Sequence, residues 1–119
     1  MTNQLTTTET LARRIGALAL EKKASDIVVM DLRELTSVCD YFVVASAESE
    51  PQIKAVVAHI RNTLADEGQR PWHIEGMENR HWIVLDFVDV VVHIFREDAR
   101  QTYSLERLWA DAPRVEIED

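Results

Sequence analysis

Apolar side chains recur along this chain first at helical and then at strand spacing, and the switches between the two periods mark its elements. Leu11, Ile15 and Leu18, with Ala12 and Ala19 beside them, fall on one stripe and predict a helix from Thr8 to Lys23. Lys22 and Lys23 would close it at its negative end. Two short continuous apolar runs follow, DIVVMD at 26–31 and YFVVAS at 41–46. Such runs read as strands covered on both faces. The nine residues between them are too few for a helical crossover, so an antiparallel or irregular joint is expected.

A second helix is predicted over 50–67, where Ile53, Val56, Val57, Ile60 and Leu64 keep strict helical spacing. Ser49 and Gln52 form a capping box, Pro51 sits in the first turn and Gly68 ends the helix. A strand near 70–75 would complete a βαβ unit with a right-handed crossover. After a turn at Gly76–Arg80, HWIVLDF and DVVVHIF read as two paired strands. Alternation puts Ile83, Leu85, Val90, Val92 and Ile94 on an apolar face, and Trp82, Val84, Asp86, Asp89, Val91, His93 and Phe95 on a mixed one. A tight hairpin would set Asp86 opposite Asp89 and Trp82 opposite His93, although Val88 is a poor turn residue. Short helices are expected at Glu97–Tyr103 and, capped by Ser104, over SLERLW. The tail VEIED is expected to fray. The sum is a single α/β domain over 1–119, with an ordered core at 8–115 and a mixed five-stranded sheet flanked by helices.

Composition narrows the function. At 119 residues with 46% apolar and 29% charged side chains, the chain has enough apolar material for one core. No 18-residue apolar run exists, and the N-terminal stretch lacks the basic start and apolar centre of a secretory signal. The lone Cys39 can form no internal disulfide and excludes a Cys-rich zinc module, which fits a cytoplasmic setting. The formal charge is −8, and residues 75–119 carry most of it, with 5 basic against 11 acidic groups. That balance is poorly suited to nonspecific nucleic-acid binding. It suits solubility, or an acidic surface that steers a basic partner.

Catalytic constellations are incomplete. Asp86 and Asp89 resemble paired metal-binding carboxylates, but no Gly-rich phosphate loop accompanies them. His73, Glu75 and His93 are too few for a zinc site, and neither Cys39 nor Ser46 has a base and orienting acid beside it in sequence. No cofactor is expected. Trp72, Trp82 and Trp109 are each accounted for by core packing, yet Trp82 lies on the mixed face with acidic groups, as an interface anchor does.

Four segments in order carry a family resemblance: CDYFVVAS at 39–46 with Ser49 and Gln52 after it, HIEGM at 73–77, HWIVLDFVDVVVHIF at 81–95 and YSLERLWADAP at 103–113. The chain resembles the ribosomal silencing factor (RsfS, or Iojap) family over about residues 8–115. That resemblance implies a nucleotidyltransferase-like α/β fold without transferase activity. It implies a non-enzymatic translation repressor that docks on ribosomal protein fourteen of the large subunit (uL-fourteen) and blocks small-subunit joining during starvation or stationary phase. A role in large-subunit biogenesis and a homodimer when free are also implied. Carried over onto this chain, the partner-binding residues are Trp82, Asp86, Asp89 and His93 from the hairpin, and Tyr103, Leu105, Trp109 and Asp111 from the C-terminal motif. The tryptophans would anchor, the aspartates would meet Lys or Arg, and His93 would hydrogen-bond at the rim; some of Tyr103, Leu105 and Trp109 would be core instead. Two positions depart from the family pattern, Val88 and Ala47, where many members carry Gly. Ala45-Ser46-Ala47 also lacks the Gly-Ser pair of an active transferase. The alternative function is a metal-dependent nucleotidyltransferase using Asp86 and Asp89.

Overall fold

The computed structural model describes residues 7–103 and 105–117. Its elements are α1 (Thr7–Glu21), β1 (Ser25–Asp31), β2 (Tyr41–Ala47), α2 (Glu50–Asp66), β3 (His73–Glu75), β4 (Trp82–Asp86), β5 (Val90–Arg96), α3 (Glu97–Tyr103), α4 (Leu105–Leu108) and β6 (Arg114–Glu116). They form a mixed six-stranded sheet in the order β3-β4-β5-β2-β1-β6, one strand more than the sequence suggested. The added strand closes the ordered core expected to reach residue 115 and takes in the first residues of the tail VEIED. Arg114–Glu116 pairs antiparallel with β1, and Val115 and Ile117 pack on the main core. A three-residue strand alternates too briefly to be distinguished from a tail by sequence.

β1 and β2 pair antiparallel, as the short connection requires. β2 and β5 are parallel neighbours, in register from Tyr41–Val90 to Ala47–Arg96. Helix α2 therefore returns the chain past β5 and β4 to the far edge, where β3 pairs antiparallel with β4. Ser49 caps α2 through Oγ, which accepts from Gln52 N–H at 3.3 Å. The Gln52 side chain accepts from Glu48 N–H and donates to the carbonyls of Lys22 and Lys23, tying this helix start to the end of α1. Helix α1 itself stops at Glu21, so the two lysines fall in the turn beyond it, where Lys23 adopts φ 69°.

The two sheet faces differ. One is sealed by α1 and α2: Ile15, Leu18, Val29, Val43, Ala45, Ile53, Val56, Ile60, Ile83, Leu85, Val92 and Ile94 make the main core. The apolar side of the β4–β5 pair inferred from alternation is wholly buried there. On the opposite face Val28, Met30, Leu32, Val44 and Phe95 form a second, smaller core, with Ala99, Leu105 and Trp109 of the C-terminal segment packed against it.

Candidate functional site: the half-open sheet face

β4 and β5 present Trp82, Val84, Asp86, Val91, His93 and Phe95 on this second face. β2 adds Phe42, and β3 adds His73 and Glu75 at the edge. Trp82, Val84, Asp86, Val91 and Phe42 are half-buried, whereas His73 and Glu75 are exposed. The result is a shelf of aromatic and aliphatic groups bordered by carboxylates.

The register differs by two residues from a tight Asp86–Asp89 pairing. Val84 lies opposite His93, Asp86 opposite Val91, and Trp82 opposite Phe95. A two-residue shift keeps every side chain on its inferred face but changes its neighbours. Phe87 and Val90 thereby close a two-residue connection, with Phe87 N–H donating to Val90 O at 2.9 Å. Val88 takes φ 76° and Asp89 N–H returns to Phe87 O at 3.0 Å, the geometry of a tight γ-turn with positive φ. Asp86 holds this turn, its Oδ1 accepting from Val88 N–H at 2.7 Å. Asp89 leaves the strand and stands exposed at the tip, so the two aspartates do not form a cross-strand pair.

His93 is not at the rim. It is buried and half surrounded by aromatic rings, edge-on to Phe42 at 4.4 Å and beside Trp82 at 5.8 Å. Its Nδ1 accepts from the Trp82 indole N–H at 3.0 Å, which assigns the remaining proton to Nε2. Burial pushes this imidazole down to about 4, so it is neutral at physiological pH. It therefore acts as a fixed acceptor beneath Trp82. Gly76 supports the same corner. A Cβ there would lie 2.0 Å from the Trp82 carbonyl oxygen, and the residue has φ 90°, so the turn ahead of β4 needs glycine.

The C-terminal residues divide. Trp109 is half-buried, edge-to-face with Phe42 at 6.2 Å, and Leu105 packs beside it on the second core. Both are thus partly core and partly border of the shelf. Asp111 is exposed, and the Tyr103 side chain lies outside the described residues.

A group that sequence reasoning missed holds this segment down. Arg100 is buried, and its guanidinium makes a two-point contact with the Glu106 carboxylate at 3.2 and 2.7 Å. Its Nη1 donates to Ser46 Oγ at 2.8 Å and to Asp26 O at 2.6 Å. The latter carbonyl is presented by an irregularity in β1, where Asp26 takes φ 50°. Arg114 adds a bond to Glu106 O at 2.9 Å. An arginine in the middle of a short helix gives no sequence signal for such a role. The cavity beside it, about 1080 Å³, is lined by Asp26, Ser46, Glu97, Arg100, Glu106 and Arg114, and Ser46 Oγ there accepts from the Arg100 guanidinium. Among the described residues no three His, Cys, Asp or Glu side chains converge as a metal site.

Comparison with known proteins agrees with this architecture. Residues 5–119 match the family model described as "Ribosomal silencing factor during starvation". A ribosomal silencing factor RsfS of Halalkalibacterium halodurans is 36% identical over 98 residues, covering 82% of this chain and 84% of that one. The Bacillus subtilis RsfS is 35% identical over 106 residues, 88% of this chain and 90% of its own. A crystal structure of a Bacillus halodurans protein superposes with a TM-score of 0.80 at 30% identity, covering 92% of this chain and 99% of that chain. The chain, by the match along its length and by its fold, belongs to the ribosomal silencing factor family.

Proposed function

We propose that this protein is a non-enzymatic, cytoplasmic translation repressor that docks on ribosomal protein fourteen of the large subunit (uL-fourteen) and keeps the small subunit from joining. The observation that carries the reading is the half-open face, where Trp82, Val84, Val91 and Phe42 sit partly exposed between carboxylates of Asp86 and Glu75. A soluble domain rarely leaves an aromatic shelf on its sheet without a partner. Ribosomal proteins are commonly basic, and a chain of charge −8 complements them. The free protein pairs with a second copy through the apolar part of the same shelf, so that self-association and docking compete.

Sucrose-gradient co-sedimentation with separated large and small ribosomal subunits tests this, followed by a joining assay on the same samples. The expected result is migration with the large subunit alone and fewer joined ribosomes. Migration at the top of the gradient with joining intact would overturn it.

A further inference from the structure

Three loops meet at the end of the sheet where β2 and β5 begin and where β1 and β4 finish. They are the β1–β2 connection at 32–40, the β4–β5 turn at 87–89, and the residues leading into β3. Four of the five large apolar residues that the described structure leaves exposed lie here: Val38 at 82%, Trp72 at 75%, Val88 at 55% and Leu35 at 43%. None belongs to the shelf residues discussed above.

These loops are laced together. Trp72 N–H donates to Asp86 O at 2.7 Å, and Asp86 in turn holds Val88 through its side chain. Asp89 O accepts from both Asp40 N–H at 2.7 Å and Tyr41 N–H at 3.1 Å, joining the hairpin tip to the β1–β2 connection. Within that connection Leu35 and Thr36 N–H return to Leu32 O, and Val38 N–H bonds Thr36 Oγ1 at 3.1 Å. The loop backbone that carries these apolar groups is therefore held before any partner arrives, which lowers the ordering cost of binding.

Carboxylates interleave with them. Asp40 belongs to the β1–β2 connection, Asp86 ends β4 and Asp89 lies in the turn after it, yet all three act on one point. The buried Cys39 thiol is pushed up to about 11, by burial first and then by these three aspartates. Glu34 adds a fourth acidic group, while Arg33 is engaged by Asp31 at 2.8 Å, leaving Arg70 as the cation nearest Trp72 in sequence.

We infer that this end of the sheet is a second docking surface, continuous with the shelf through Asp86, for a basic polypeptide segment that brings aliphatic side chains to Trp72, Val38 and Val88 and Lys or Arg to Asp40, Asp86 and Asp89. The inference rests on the ribosome-docking reading and enlarges its footprint. Phosphate of ribosomal RNA is disfavoured because the carboxylates repel it. A second copy of this chain is disfavoured because it would set the same aspartates against themselves.

The test uses the full chain and purified large ribosomal subunits. Trp72→Ala combined with Val38→Ser should weaken pelleting with the subunits at least fivefold, while the unfolding midpoint stays within a degree or two of the parent because both side chains are exposed. Hydroxyl-radical footprinting of the unmodified protein gives an independent reading: Trp72 should be oxidised when free and protected on the subunit. Parent-like pelleting of the double variant with Trp72 still oxidised, while Trp82→Ala pellets poorly, would overturn this inference and leave the shelf reading standing. Failure of the parent itself to pellet would overturn both. Loss of self-association by the double variant, with subunit binding unchanged, would overturn the basic-segment assignment in favour of a second copy.

Discussion

The Trp82 indole N–H donates to Nδ1 of buried His93 across 3.0 Å, on diagonal positions of paired strands. This bond converts a titratable residue into part of the scaffold. Burial of the imidazole gives a pH dependence of stability with a definite sign. The folded-state pKa is depressed to about 4 from an ordinary value of 6.5, so the unfolded chain binds the proton more readily. The contribution is fully present above pH 6.5 and is lost as pH falls toward 4. Between pH 7.5 and pH 5 the loss should be about 2 kcal/mol. Urea denaturation at the two pH values checks it, with His93→Phe as the reference that should show little slope in this window. A parent protein equally stable at both would contradict the buried, neutral assignment.

Val88 carries strain at the hairpin tip. A β-branched residue at φ 76° is sterically disfavoured by about 1–2 kcal/mol, and its exposed side chain recovers little by packing. Val88→Gly relieves the clash but adds freedom to the unfolded chain. The net expectation is stabilisation of about 1 kcal/mol, seen as a higher denaturation midpoint. A destabilised variant would mean that the Val88 side chain makes contacts that outweigh the strain.

Gly76 and Arg100 test the two supports of the site. Gly76→Ala drives a methyl into the Trp82 carbonyl at a positive φ and should cost more than about 2 kcal/mol. Arg100→Ala strands the Glu106 carboxylate, Ser46 and the Asp26 carbonyl, with an expected loss of about 3 kcal/mol. Glu106→Gln keeps an acceptor for Arg100 and should cost less. Thermal and urea unfolding rank the three, and an Arg100→Ala protein as stable as Glu106→Gln would remove the guanidinium from this holding role.

The sequence made the helices and the two-faced hairpin legible because long apolar periods leave little choice of face. Ile53 to Leu64 and the alternation from Ile83 to Ile94 are buried as expected. Pairing partners were less legible. A shift of two residues preserves alternation, so side-chain pattern alone does not separate Trp82–His93 from Trp82–Phe95 pairing. The strained turn at Val88 decided the matter, and propensity argues against it. Alternation puts His93 on the correct face but does not give its depth, which depends on Phe42 and Trp82 lying over it. Trp72, expected in a strand over 70–75, precedes the observed β3 and stands exposed. Arg100 was illegible because its partners come from three other elements.

The shelf makes a kinetic prediction that separates anchoring from steering. Trp82 is half-buried on the open face, and its removal should cost about 2 kcal/mol of binding to large subunits, mostly as faster dissociation. The fold should survive because the fully buried residues of β4, Ile83 and Leu85, face the other way. Asp89 stands exposed at the tip, with its backbone carbonyl rather than its carboxylate holding Asp40 and Tyr41. Asp89→Lys should therefore leave stability nearly unchanged and slow association with a basic partner. Raising the salt concentration should shrink that difference, because exposed charges are screened within a Debye length of about 8 Å at physiological ionic strength. Stopped-flow or surface-capture kinetics at two salt concentrations distinguish the two effects. A Trp82→Ala protein that dissociates like the parent, or an Asp89→Lys protein whose association rate is unchanged at low salt, would remove that residue from the docking surface.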